Sequence, residues 1–189
     1  MRKLISLMHV SLDGFVAGAN GEMDWIHVDG EMFDIVGRLT DEADTALFGR
    51  ATYEMMESYW PTAADQPNAT KHDIEHANWV NNAIKLVFSR TLKETKWKNS
   101  KIISDGIADK IQLLKTEPGK NMLMIGSAAT AHTFMRLGLI DEFHLYVNPV
   151  VLGNGIPLFK GIKNTMNMKL LDVKTFKAGV VGLYYRLDR

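Results

Sequence analysis

Twice in this chain an apolar run stops at a glycine and a helical pattern begins at once. The first junction is Ala46-Leu47-Phe48-Gly49-Arg50-Ala51-Thr52-Tyr53-Glu54, and the second is Met122-Leu123-Met124-Ile125-Gly126-Ser127-Ala128-Ala129. A strand that feeds a helix in this way belongs to a strand–helix–strand crossover, in which the helix packs back onto the sheet. The start of such a helix also attracts anions, because its first N–H groups lack partners and its dipole is positive at that end. Arg50 adds a full charge and Thr52 a hydroxyl. Either junction alone is weak evidence, since glycine ends many strands for steric reasons. Two of them in one small domain suit the pyrophosphate of a dinucleotide.

The spacing of the remaining elements supports an α/β fold. Strand-like runs fall at 4–10, 45–48, 85–89, 102–104, 122–125, 142–147, 169–176 and 180–187, with helical patterns at 31–39, 51–59, 107–115 and 128–137. This alternation predicts a mostly parallel sheet with crossover helices. The last two strands flank Lys177-Ala178-Gly179, which reads as a hairpin, so the sheet should end antiparallel. Residues 65–77 read as a surface excursion with a short helix, and 153–157 as an irregular loop of the kind that borders pockets. The first ten residues resemble a signal peptide only superficially. Their apolar part is short and His9 interrupts it, so a buried first strand is expected. With 189 residues, one domain over 1–189 is expected.

Composition removes several classes of function. Lys+Arg and Asp+Glu are both 22, which argues against nucleic acid as the main partner. No run approaches the roughly 18 apolar residues of a membrane span. There is no cysteine, so there is no disulfide, thiolate nucleophile or cysteine metal site. A cytoplasmic location is expected. His72 and His76 have helical metal-ligand spacing, but the neighbouring Asp73 and Glu75 read better as a solvated face, and no metal is expected. No Ser/His/Asp constellation can be assembled from the histidines.

Two further groups stand where the strands should end. Asp13, in Ser11-Leu12-Asp13-Gly14, reads either as an orienting or protonating group or as an Asx-turn bonded to its own backbone. Ser89, Arg90 and Thr91 close a strand with hydroxyls and a guanidinium, which suits a phosphate monoester. Tyr53, Tyr59 and Trp60 read as pocket lining for a flat heterocycle or as packing.

In this order the motifs resemble the dihydrofolate reductase fold, a three-layer α/β architecture. More specifically they resemble the family of the C-terminal reductase domain of the bifunctional riboflavin-biosynthesis deaminase-reductase. The pieces that carry the likeness are the entry motif at 11–17, the Gly-Arg-x-Thr turn at 49–52, the second turn at 125–128, and Leu139-Ile140-Asp141-Glu142-Phe143-His144-Leu145-Tyr146-Val147 with Pro149-Val150-Val151-Leu152-Gly153-Asn154-Gly155. The resemblance implies NADPH as hydride donor, with Val16 and Ala17 near the nicotinamide. Gly49, Arg50, Ala51 and Thr52 would hold one side of the pyrophosphate, and Gly126, Ser127 and Ala128 the other. Ser89 and Arg90 would reach the 2′-phosphate, and Asp13 would orient or protonate the substrate. The second turn departs from the usual pair of glycines, since Ser127 follows Gly126. The folate-binding carboxylate has no clean counterpart, the count from Gly49 falling near Phe33 and Asp34. There is no zinc motif of a deaminase. The expected activity is reduction of a small flat heterocycle or imine, pterin-like or ribosylaminopyrimidine-like, by a homodimer. The alternative is a non-catalytic nucleotide- or pterin-binding module of the same fold.

Overall fold

The computed structural model describes residues 1–188. In chain order the elements are β1 (Leu4–Val10), β2 (Phe15–Ala17), α1 (Gly30–Asp41), β3 (Ala43–Gly49), α2 (Arg50–Tyr59), a single 3-10 turn (Ala63–Asp65), α3 (Lys71–Asn82), β4 (Ile84–Phe88), β5 (Ser100–Ile103), α4 (Ile107–Thr116), β6 (Asn121–Ile125), α5 (Ala128–Arg136), β7 (Glu142–Val147), β8 (Ile156–Pro157), β9 (Met168–Thr175) and β10 (Val181–Leu187).

Eight strands form one sheet in the order β5-β4-β3-β6-β1-β7-β10-β9. The six strands from β5 to β7 run parallel. The β9–β10 hairpin joins antiparallel beside β7. The sheet is therefore mixed and mostly parallel with an antiparallel end. β1 lies near its centre between β6 and β7, which is why Leu4–Val10 is apolar almost throughout.

Side chains alternate across the sheet and so divide the core in two. One face sets Leu4, Met8, Leu47 and Met122 against Ile111 of α4 and Phe134 of α5. The other carries Ile5, Leu7 and Leu123 against Met32 and Leu39 of α1. On that same side Ala46, Phe48 and Val87 meet Tyr53 and Met56 of α2 and Val80 of α3. The result is three layers, with two helices below the sheet and three above. Fully burying each large apolar side chain is worth about 1.5–3 kcal/mol.

Two features depart from the sequence reading. α3 is a full helix of 12 residues and not a short one. The second is a small two-stranded ribbon, β2 with β8, that rides on the sheet edge beyond β1. Such short pairings leave almost no periodic signal.

Candidate active site

Because the strands are parallel, their carboxyl ends share one edge. There β3 ends at Gly49, β4 at Phe88 just before Ser89 and Arg90, and β6 at Ile125 just before Gly126 and Ser127. Three of the helices that begin at this edge are uncapped. Gly49 before α2, Gly106 before α4 and Ser127 before α5 make no side-chain cap hydrogen bond. By contrast, α1 is capped by Asp29, and α3 by a reciprocal Thr70–Asp73 box. The unpaired N–H groups are thus concentrated where an anion would sit.

The two glycine junctions touch one another. A Cβ at Gly49 would collide with Ser127 Oγ and Thr130 Oγ1, so only glycine lets the start of α5 approach the end of β3. Thr52 packs just beyond Gly126 in the same way, at 3.4 Å from where a Cβ would stand. Gly126 and Ser127 turn the chain with φ of 70° and 63°. That is ordinary for glycine, but for serine it costs about 1–3 kcal/mol.

Beside the junctions lies a cleft of about 540 Å³, lined in part by Gly49, Arg50, Ala51, Ser89, Arg90 and Ser127. Arg136 of α5 is a third arginine on its wall, and no carboxylate lines it. In a chain of zero net charge this is a local concentration of positive potential. Sequence reasoning missed Arg136, because a basic residue in the last turn of a helix reads as complementing the dipole. Ser89 shapes the loop, its Oγ accepting from Thr91 N (3.2 Å) and Leu92 N (3.0 Å). Arg90 is exposed on the rim. Thr52, Gly126 and Ala128 support the junctions without lining the cleft. Val16 and Ala17 lie on the ribbon, Val16 packed on the core and Ala17 buried.

Asp13 makes neither an Asx-turn nor a free acid. Its carboxylate accepts from Ser11 Oγ (2.7 Å), Leu152 N (3.1 Å) and Gly153 N (2.7 Å), tying the loop after β1 to the loop after β7. The Ser11 hydroxyl, followed by these backbone donors, holds its pKa below the ordinary value. An ionised acceptor with both oxygens engaged orients its loop and is a poor proton donor.

On the other face of the sheet, a smaller cavity of about 270 Å³ opens between β1, α1, α2 and α3. Phe33, Trp60, His9, His72 and His76 are among its lining residues. This corrects the solvated-face reading of α3: His76 packs on Trp60 with ring centroids 4.3 Å apart, and His72 stacks on Phe33 at 5.0 Å. Burial pulls the pKa of both His9 and His76 down to about 4, so both rings are neutral near pH 7. Of the three aromatic candidates near the first junction, Trp60 faces this pocket, Tyr53 is buried in the core and Tyr59 is exposed. Phe33 lines the pocket and Asp34 does not. Among the described residues no cluster of three His, Asp or Glu side chains could hold a metal, and no helix is long and apolar enough to cross a membrane.

A parallel sheet whose carboxyl edge holds paired, uncapped helix starts beside an aromatic pocket is an α/β domain with an edge suited to an anion. The chain belongs to the RibD C-terminal domain family, whose profile matches residues 2–182. It is 38% identical over 188 residues to the uncharacterized protein YyaP of Bacillus subtilis strain 168, covering 97% of this chain and 94% of that one. It is 31% identical to the uncharacterized YwjB of the same organism, covering 98% of each. A solved chain from Shewanella sp. PV-4, provisionally named a riboflavin biosynthesis protein, superimposes with a TM-score of 0.75 at 24% identity over 99% of both. RibD of Acinetobacter baumannii gives 0.71 at 19% identity, and this chain spans 59% of it. The deaminase/5-amino-6-(5-phosphoribosylamino)uracil reductase of Thermotoga maritima gives 0.69 at 14%, with 57% of that chain spanned. These structural likenesses show that the chain shares its fold with RibD-like reductase domains.

Proposed function

We propose that the protein is a cytoplasmic NADPH-dependent reductase of a small flat heterocycle or imine. The observation that carries this reading is the meeting of two uncapped helix starts with three arginines in a cleft free of carboxylates. That donor set fits a phosphate-rich dinucleotide. Helix N–H groups and Arg50 suit the pyrophosphate, and Arg90 suits the extra phosphate that distinguishes NADPH from NADH. When bound, NADPH supplies a hydride, and the protein's own share is orientation and exclusion of water.

The chain's residues have separable tasks. Gly49 lets the two helix starts converge. Asp13 fixes the loops beyond β1 and β7. The aromatic pocket holds a flat ring across the sheet from the cleft. Ile125 lines the pocket and Ser127 the cleft, so a single short turn stands between them.

A non-catalytic binding module of the same fold draws support from one observation: Asp13, the one nominated proton donor, has both carboxylate oxygens engaged. Fluorescence titration with NADPH and NADH, followed by NADPH oxidation with a panel of pterins and aminopyrimidines, separates the two. Tight NADPH binding with turnover of any acceptor supports the reductase. Binding without turnover across the panel favours the module, and no NADPH binding removes both the cofactor and the reductase.

A further inference from the structure

The aromatic pocket carries information about what it accepts, through the charges it lacks and the donor that His9 presents. Its lining includes neither lysine nor arginine. Two carboxylates stand in it, and both are engaged. Asp73 accepts from Thr70 N (2.9 Å) and Thr70 Oγ1 (2.7 Å) in the cap of α3. Glu75 pairs with Lys71 at 3.6 Å and lies 4.0 Å from His72. Lys71, the nearest basic residue along α3, is thus directed at Glu75. A phosphate entering here would meet the neutral His9 and His76 rings and the two carboxylates, and a buried anion without a cationic partner is strongly disfavoured.

His9 supplies the polar handle. Asn148 Oδ1 accepts from His27 N at 2.7 Å, which fixes the orientation of the Asn148 amide. Its Nδ2 donates to Tyr146 O (3.0 Å) and toward His9 Nδ1 (3.3 Å). With Nδ1 accepting, the proton of the neutral ring sits on Nε2. The ring is clamped by stacking on Tyr146 at 5.3 Å. Among the described residues none accepts the Nε2–H, and His9 lines the pocket.

We propose that this pocket takes an uncharged, unphosphorylated flat heteroaromatic ring, an acceptor atom of which receives the Nε2–H of His9. The volume of about 270 Å³ lies just below the ~300–1,000 Å³ usual for drug-sized ligands, which suits one or two fused rings without a long appendage. The inference rests on the reductase reading for calling this ligand the hydride acceptor. It separates this chain from a reductase that grips a phosphoribosyl group.

The test uses the full chain and a matched pair of probes, 6-hydroxymethylpterin and its phosphate ester, titrated by calorimetry with and without saturating NADPH. The alcohol should bind at least about tenfold more tightly than the ester. His9→Phe keeps a ring against Tyr146 and removes the donor, and should weaken the alcohol by roughly tenfold, the worth of about one hydrogen bond. His9→Gln restores a donor and should recover part of the loss. Glu75→Lys, at an exposed position on α3, should improve the ester relative to the alcohol. Equal or tighter binding of the ester by the unmutated protein overturns the proposal, as does failure to bind either probe or indifference to His9→Phe. NADPH binding is read independently in the same titrations. Its absence defeats the reductase reading, while its presence with preference for the ester defeats only the present inference.

Discussion

Asp13 and Arg90 both stand beyond the carboxyl edge of the sheet, but the structure gives them different tasks. Asp13 uses one oxygen for Leu152 N and the other for Gly153 N. Asparagine can accept on only one side, so Asp13→Asn sets an NH2 group against a backbone N–H. The expected outcome is faster amide exchange at residues 152 and 153, with NADPH affinity nearly unchanged. A strong loss of turnover with unaltered exchange would return Asp13 to the chemistry. Arg90 has no such internal duty. Arg90→Ala should weaken NADPH by about 1.5 kcal/mol, the low end for a charged hydrogen bond because the side chain is exposed, and leave NADH nearly untouched. Tryptophan fluorescence titration measures both. An equal loss for the two cofactors would show that Arg90 does not read the extra phosphate.

Among the elements, α3 shows how far the sequence could be read. The eight strands of the main sheet and four of the helices announced themselves by apolar period and by glycine junctions. α3 did not, because its sequence Lys71–Asn82 buries only Ala77 and Val80, leaves Ile74 exposed and is mostly polar. Its legible signal was the cap, Thr70 followed three residues later by Asp73. The helix is also held at its far end. Lys85 Nζ donates to Val80 O (2.7 Å) and Ala83 O (2.9 Å) under the ring of Trp97, and burial lowers its pKa to about 8. Thr70→Ala should cost about 1 kcal/mol, read as a lower urea midpoint at unchanged slope. The anion cleft was largely visible in the sequence, since its glycines and arginines adjoin strand ends. Of the aromatic pocket only Trp60 was, read as lining for a flat heterocycle or as packing. His9, Phe33 and His76 come from three separate elements and Trp60 from the end of α2, and nothing local marks them as neighbours.

For the molecule as a whole, acid should act in two stages. His76 and His9 fall from an ordinary 6.5 to about 4 through burial, with Asp73 opposing slightly at His76. Between those values the unfolded chain binds protons that the native one refuses, so their stabilisation is complete above pH 6.5 and is lost as pH falls toward 4. For His76 the loss is on the order of 2–3 kcal/mol. Glu142, held at about 2 by His144 and Lys3, adds its own loss only below about 4.5. Thermal melts from pH 7 to 4 should show the first stage, and His76→Leu should flatten it. A homodimer is the expected assembly. β9 is an edge strand, paired only on its β10 side, with Leu170, Leu171 and Val173 each more than 40% exposed, at 49%, 43% and 47%. Light scattering at micromolar concentration should give twice the chain mass, and a monomer mass would refute it. The turn of residues 125–127 joins the two compartments most directly, with Ile125 on one wall and Ser127 on the other. Two ligands sharing so thin a partition are bound by reciprocity. Whatever factor the nucleotide imposes on the affinity of the ring, the ring must return to the nucleotide, so a cofactor titration repeated over an occupied pocket reads the same coupling from the opposite side.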